Sequence, residues 1–256
     1  GAIGILGSYR IGRLVAFGAI ASMGTLLTAI ALFTPAGISA ALYYTLHSTL
    51  ATAFLFLVVD LVSERQGIEI VAKKTMPQNG LIAALFFAGA IALAGMPPLS
   101  GFLGKLLILD AARAAPMGWW IWAVILISSL ITIMGFARAG TLIFWKSHGL
   151  TQDHSLEEPE IELEQADQAD APRTPRAPAL PFVACFSLLA GLAALTLFAG
   201  PVTRYTTATA TDLFAPQAYI ETVLANRDRP VVEPDQTPGD KTLDLDAGDT
   251  TSEENH

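Results

Sequence analysis

The chain has 256 residues, a formal net charge of −8, 52% hydrophobic residues and only 15% charged residues. Soluble domains average about 25% charged residues. Four stretches of this sequence hold no charge over at least the ~18 residues that indicate a transmembrane helix. The composition excludes an ordinary soluble domain and predicts an all-α polytopic membrane protein.

The few cysteines and histidines, and the motifs that the sequence lacks, exclude several further classes of protein. The single cysteine, Cys185, rules out an internal disulfide framework, and the four histidines form no familiar zinc signature. No basic patch with interleaved aromatics indicates nucleic-acid binding, and no dinucleotide or phosphate-binding motif is present. We therefore predict no metal, no cofactor and no nucleic-acid partner. The chain begins at Gly1 in a loop-like segment without a signal-peptide pattern, which we interpret as the C-terminal part of a longer protein.

In chain order, the apolar stretches predict about five transmembrane helices. The predicted spans are residues 14–34, 38–62, 81–114, 117–145 and about 180–202. The third is interrupted at Pro97, Pro98 and the following residues to Gly101, because proline removes a backbone donor and disfavours helix before it. Its two pieces are each shorter than the ~20 residues that a spanning helix needs, so we count them as one broken span.

The positive-inside rule supports this count. With one broken span, seven basic residues fall on the cytoplasmic side, and Arg113 and Arg204 lie near the outer face. The seven are those at positions 10, 13, 65, 73, 74, 138 and 146.

Charge divides the chain into four segments. Residues 1–146 form the predicted membrane bundle and carry a net charge of +5. Residues 147–177 are a predicted acidic cytoplasmic linker, and 178–225 hold the last transmembrane helix and an interfacial segment. Residues 226–256 are a predicted acidic disordered tail, because a Pro-, Asp- and Glu-rich composition cannot bury enough apolar surface to fold alone.

Lys105 is the most informative residue of the sequence. It lies in an apolar stretch, where a lysine costs roughly 2.5–3.5 kcal/mol on insertion scales. Interrupted helices that carry an ionisable group recur in ion-coupled transporters. Snorkelling to an interface is the alternative, but Lys105 follows Gly101 by four residues near the middle of the broken span. We predict that Lys105 carries protons.

His47 lies in the middle of the second span and is the second predicted proton-transfer residue, because histidine titrates near neutral pH. The hydroxyl residues around it share a face by helical spacing and could order water. They are Thr45, Ser48, Thr49 and Thr52. The alternative is that these side chains only bond neighbouring helices.

Several further residues have supporting roles in this prediction. Asp60, near the inner end of the second span, is either part of a surface ion pair or a proton-entry acid. Asp110, near the outer end of the broken span, is expected to pair with Arg113 or to reach water. Pro97, Pro98, Ser100 and Gly101 shape the break. Ser128 and Ser129 are interpreted as small residues that permit close helix packing.

Three segments together resemble one family. Residues 13–24 are similar to the "RRLLAYSSISHMG" segment of the proton-translocating antiporter-like family, which includes the large membrane subunits of respiratory complex I and of Mrp/Pha cation/proton antiporters. Residues 46–50 resemble its "HxxxK" helix, and residues 94–105 resemble its "LAGxPPLSGFxxK" motif. The resemblance implies the last part of a fourteen-helix subunit with Lys105 in a broken helix.

Two departures from the family pattern narrow the resemblance. Ala51 and Thr52 stand where complex I subunits usually have a lysine, and Leu106 stands where an acid often follows the broken-helix lysine. Both departures resemble the D subunit of Mrp/Pha antiporters. This implies a sodium or potassium/proton antiporter subunit, a transporter rather than an enzyme, in a hetero-oligomeric complex of the bacterial inner membrane. The alternatives are a proton-pumping subunit of a quinone oxidoreductase or hydrogenase, and a structural membrane scaffold.

Overall fold

The structure, a computed structural model, describes residues 1–72, 76, 78–146 and 179–227. The predicted linker at 147–177 lies outside these residues, as does nearly all of the predicted tail at 226–256. Within the described residues the protein is helical, and its one β-bridge is isolated. The helices are α1 (Ala2–Leu6), α2 (Ile11–Ala31), α3 (Pro35–Gln66), α4 (Asn79–Ala94), α5 (Ser100–Ala111), α6 (Gly118–Gly140), α7 (Ala179–Leu197), α8 (Ala199–Phe214) and α9 (Gln217–Arg227). A 3₁₀ turn, Ala112–Ala114, follows α5, and a π-helical turn, Thr141–Trp145, extends α6.

Four helical segments of the described chain are long and apolar enough to cross a membrane. They are Ile11–Ala31, Pro35–Gln66, Gly118–Trp145 and Leu180–Leu197. Helices α4 and α5 have 16 and 12 residues, so each alone is too short. Taken together they form the interrupted span. The prediction of an all-α, multi-pass membrane protein is confirmed.

The second span begins and ends where local sequence signals favour it. The Thr34 hydroxyl accepts a hydrogen bond from the Gly37 amide at 3.0 Å, and Pro35 occupies the first helical position. At the other end, Gly67 has a φ of 83°, a left-handed value that glycine adopts without strain. Helix α3 therefore runs from residue 35 to 66, several residues beyond the predicted 38–62.

A short helix, α1, stands where the sequence suggested a loop. Ile5 of α1 is fully buried, and the backbone after α1 pairs with the segment that follows α3 through the bonds Ile11 N–H to Ile68 O and Ile70 N–H to Tyr9 O. Arg138 donates from its guanidinium to the Ser8 carbonyl oxygen at 2.7 Å. Arg138 is half-buried, and this hydrogen bond gives its guanidinium a backbone partner.

Helix α3 is the central element of the bundle, and α2, α4, α5, α7 and α8 all pack against it. Helices α7 and α8 follow α3 antiparallel along its length. The Arg65 guanidinium lies 5.7 Å from the Phe182 ring centroid near one end, and the Ser39 hydroxyl bonds those of Thr206 and Thr207 near the other. Residues 215–256 form a separate unit, of which α9 is described.

Glycines allow α4 and α5 to lie close to α3. A Cβ atom added at Gly89 would lie 2.5 Å from a Leu55 side-chain atom, and one added at Gly104 would lie 2.8 Å from the Tyr44 ring. Small residues commonly permit this kind of approach between membrane helices. The close packing brings the break between α4 and α5 against the middle of α3.

Candidate functional site

The helix break covers residues 95–99, and the sequence explains its position. Gly95 ends α4 with a φ of 77°, a left-handed conformation that favours glycine. The prediction placed the interruption from Pro97 to Gly101, but α5 already begins at Ser100. The break therefore begins two residues earlier than predicted, because the left-handed glycine ends the helix before the prolines do.

The two prolines determine which carbonyl groups the break leaves without a helical partner. In an α-helix, each carbonyl oxygen accepts from the amide four residues later. For Leu93 and Ala94 those positions are Pro97 and Pro98, which have no N–H group. Both carbonyls are at the C-terminal end of α4, where the helix dipole favours a positive charge.

The Lys105 ammonium donates hydrogen bonds to both of these carbonyl oxygens. Its Nζ atom lies 2.7 Å from the Ala94 oxygen and 3.5 Å from the Leu93 oxygen, and it donates to the Ser129 hydroxyl at 2.8 Å. The Lys105 side chain also crosses directly over Gly95. A Cβ atom there would lie 2.7 Å from Lys105 Cδ and 3.1 Å from Nζ. Lys105 therefore binds the end of α4 and, through Ser129, helix α6.

His47 lies on the other side of the break, against the first turn of α5. Its ring is buried, with 1% of its surface exposed, and its Nδ1 atom is 2.9 Å from the Ser100 hydroxyl oxygen. Its Nε2 atom faces Gly101 and the Ala92 carbonyl oxygen without a well-formed hydrogen bond among the described residues. A Cβ at Gly101 would lie 2.7 Å from Nε2, so glycine is needed for this approach.

Three buried hydroxyl groups lie beside His47 between α2 and α3. The Ser22 hydroxyl is 2.7 Å from that of Ser48 and 3.0 Å from that of Tyr44. The Tyr44 ring centroid is 5.7 Å from the His47 ring centroid. Ser48 was predicted to support His47. Its buried partner is Ser22, which also bonds Tyr44, and the sequence analysis did not predict this cluster.

The structure does not bring all the predicted hydroxyl residues to this site. Thr45 and Thr49 are exposed, and their hydroxyls donate to backbone carbonyls one turn earlier on α3. Thr52 is half-buried. Asp60 is exposed near the end of α3.

At the end of the bundle nearer α5's C-terminus, Asp110 pairs with Arg113 at 3.3 Å, with about 70% of each side chain exposed. A pair so open to solvent contributes little stability. Pro97 and Pro98 are exposed, whereas Ser100 and Gly101 are buried within the site.

The site thus joins Lys105, His47, Ser100 and the end of α4, and sequence reasoning missed Ser129. That residue was interpreted only as a packing position. The carbonyls of Leu93 and Ala94 follow from the four-residue helical spacing to the two prolines. The contact with Ser129 depends on how α6 packs and is not visible in the sequence.

Comparison with known proteins identifies the family. Residues 1–132, more than half of the chain, match the model of the transmembrane family described as NADH:quinone oxidoreductase/Mrp antiporter. The chain belongs to this family. The match includes α2 to α5, so the family segment contains both His47 and Lys105.

Relatives within the NADH:quinone oxidoreductase/Mrp antiporter family fall into two groups. The chain is 30% identical to the D subunit of a probable K(+)/H(+) antiporter of Rhizobium meliloti, over 88% of this chain and 43% of the relative. It is 33% identical to the D subunit of an Na(+)/H(+) antiporter of Bacillus subtilis, over 57% and 30%. It is 29% identical to an N subunit of the NADH-quinone oxidoreductase of Sorangium cellulosum, over 54% and 28%. The chain thus spans less than half the length of these relatives.

A solved structure shows the same fold. The Mrp complex from Dietzia sp. contains a chain that matches with a TM-score of 0.68 at 26% identity, over 87% of this chain and 46% of that one. The match extends beyond the family segment, whose last residue is 132, into the C-terminal part of the chain.

Proposed function

We propose that the chain is the D subunit of a multisubunit sodium or potassium/proton antiporter of the bacterial inner membrane. In this proposal it works with other antiporter subunits, and Lys105 and His47 transfer protons. The observation that carries the proposal is the Lys105 ammonium bound to the carbonyls that the helix break leaves without helical partners.

The surroundings of Lys105 support a role in proton transfer. An ammonium group has three donors and no acceptor. Two carbonyl oxygens and one hydroxyl surround Nζ, and these acceptors stabilise the charged form. The apolar helices around the site oppose that charge, since burial away from water favours the neutral amine. When the two effects are close in size, a small change at the break is sufficient to load or release a proton.

Ser129 can serve both states of the amine. A hydroxyl accepts one hydrogen bond and donates another, so it can accept from the ammonium and donate to the neutral amine. A carbonyl can only accept. Among the described groups around Lys105, Ser129 is therefore the one that can donate to the nitrogen lone pair after the proton leaves, whereas the carbonyls can only accept from the remaining N–H groups.

The contacts of α5 support a connection between Lys105 and His47. Ser100 in the first turn of α5 is bound to His47, and Lys105 on the same helix is bound to the end of α4. A shift of this 12-residue helix therefore changes both interactions together. This arrangement provides a physical route by which the charge on Lys105 and the hydrogen bonding of His47 affect each other.

The extent of similarity favours the antiporter over the second candidate. The match to the D subunit of the probable K(+)/H(+) antiporter covers 88% of the chain, whereas the match to the oxidoreductase N subunit covers 54%. The second candidate is a proton-pumping membrane subunit of an NADH:quinone oxidoreductase. Sequence matches to its subunits support it, and five of these cover 42–62% of the chain, against 88% for two of the antiporter D subunits.

The proposal is tested with the complete complex in everted membrane vesicles, by adding sodium or potassium and following the internal pH with a fluorescent dye. Lys105→Ala should lower cation-dependent proton exchange by about 100-fold or more, the typical effect of losing a proton-transfer group. Lys105→Arg should also fail, because guanidinium stays protonated. The control is Lys146→Ala, which removes an exposed lysine far along the chain from the break.

Full exchange by the Lys105→Arg complex would show that a fixed positive charge is sufficient, and the proton-transfer role of Lys105 would be abandoned. Proton movement that requires a quinone and NADH, with no response to either cation, would favour the oxidoreductase.

A further inference from the structure

A groove between α3, α5 and α8 is lined by apolar side chains from α5 and by polar and basic side chains from α8. Its volume is about 680 Å³, and it is separate from the contacts of Lys105 and His47. At one end it is lined by Leu103, Leu106 and Leu107 of α5. Toward the other end α8 contributes Thr207 and Thr211. Along the groove, Arg204 lies between Leu103 and these threonines.

The hydrogen bonds between helices give the depth of Arg204 in the bundle. Thr206 bonds to Ser39, so Arg204 on α8 lies at about the level of residue 41 on the antiparallel α3. Trp122 donates from its indole to the Leu109 carbonyl oxygen. Leu109 is five residues beyond Gly104, which contacts Tyr44, so at 1.5 Å per residue Leu109 lies near the level of Ser39. Arg204 and Trp122 are therefore at nearly the same depth.

That depth is the membrane interface. Three exposed tryptophans lie at the start of α6, namely Trp119, Trp120 and Trp122. Tryptophans concentrate at the level of the lipid headgroups. Along the groove, Leu103 lies about four residues, or about 6 Å, deeper than Arg204, Leu106 and Leu107 lie near the level of the arginine, and the threonines lie beyond it.

The charge of the groove is positive. Arg204 is its one charged lining residue among those that the structure describes, and Arg204 forms no ion pair within the described part of the chain. Guanidinium binds phosphate with two parallel hydrogen bonds. An occupant that combines an anionic group with an apolar chain would complement both Arg204 and the leucines.

We propose that this groove binds one anionic phospholipid from the leaflet at the end of the bundle where α3 begins. The lipid phosphate lies on Arg204, its headgroup contacts the α8 threonines, and an acyl chain lies along Leu103 and Leu106. The lipid fills the space between α5 and α8, and it stabilises the side of α5 that faces away from α4.

The test uses the complete complex, purified in detergent and re-equilibrated with phosphatidylglycerol, with retained lipid measured by native mass spectrometry. Arg204→Gln should lower phosphatidylglycerol retention about fivefold, because one basic residue near an anionic surface contributes about that factor. Leu106→Trp should also lower it by filling the groove. Arg113→Gln is the matched control, since Arg113 is an exposed cation near the same end of the bundle but outside the groove.

Equal retention by wild type and Arg204→Gln would overturn the proposal, as would the same loss in Arg113→Gln. Leu106→Trp gives an independent test if Arg204→Gln disrupts assembly, and unchanged retention in Leu106→Trp would place the lipid elsewhere. Cross-linking from a photoreactive amino acid at position 106 separates lipid from protein. Capture of phosphatidylglycerol supports the groove as a lipid site, and capture of a neighbouring protein of the complex overturns it.

Discussion

The ammonium nitrogen of Lys105 lies 2.7 Å from the carbonyl oxygen of Ala94, whose helical partner would have been the backbone nitrogen of Pro98. The lysine side chain therefore replaces a hydrogen bond that proline cannot make. This relationship connects the break and the buried lysine as one unit. The break alone would be costly because it leaves carbonyl oxygens unsatisfied in an apolar environment, and Lys105 alone would be costly because it buries a charge.

Ser129→Ala is expected to weaken transport. It removes the hydroxyl that accepts from Lys105, and a hydrogen bond to a charged group contributes about 1.5–3 kcal/mol. We expect cation-dependent proton exchange in vesicles to fall about tenfold and its pH profile to shift. Ser128→Ala is the matched control, because among the described residues the Ser128 hydroxyl bonds only to the Ile125 carbonyl of its own helix. Equal effects of the two substitutions would reduce Ser129 to a packing role.

His47→Ala should slow proton exchange while the complex still assembles. The substitution removes a titratable group and its bond to Ser100 but leaves the surrounding helices in place. The measurement is the rate of dye response in vesicles across a range of pH. Thr49→Ala on the exposed side of α3 is the control. An unchanged pH profile at normal protein level would show that His47 only holds α5 against α3.

Gly95→Ala should damage both stability and transport. Its left-handed φ of 77° costs a residue with a Cβ about 1–2 kcal/mol, and that Cβ would collide with the Lys105 side chain. We expect a lower thermal unfolding temperature of the purified complex and a loss of exchange. Gly80→Ala, in α4, meets no atom within 4 Å and should be neutral or slightly stabilising. Normal transport by the Gly95→Ala complex would show that Lys105 does not need to lie over Gly95 in order to function.

The proposed orientation places the α3–α4 connection in the cytoplasm and the α5–α6 connection outside. A cysteine at Glu69 should be protected from an impermeant thiol reagent in intact cells, whereas one at Met117, which is 61% exposed, should react. The native Cys185 is buried and is replaced by serine to remove background. Labelling at position 69 from outside would contradict the orientation deduced from the basic residues.

The sequence predicted the broken span and its lysine because both follow from composition and local geometry. Proline position and an isolated charge in an apolar stretch can be recognised without a tertiary structure. The start of the break was predicted two residues late, because Gly95 was not recognised as a left-handed helix end.

Features that depend on the packing of distant helices could not be predicted in the same way. Helical spacing placed Thr45 and Thr49 on one face but does not say whether that face points into the bundle, and both are exposed. The partners of Arg138 and Ser22 lie 130 and 22 or more residues away, and spacing within one helix cannot identify them.

The glycines that face α3 limit how this part of the protein can move. Gly89 on α4, with Gly101 and Gly104 on α5, leaves no room between backbone and the Leu55, His47 and Tyr44 side chains. Rotation of α3 about its axis would push those bulky groups into neighbouring main chain. The remaining freedom is translation along the helix axis or a local rearrangement of the five residues of the break. In a conformational cycle of this protein, α3 is thus expected to slide along its axis and the break to bend, without rotation of α3.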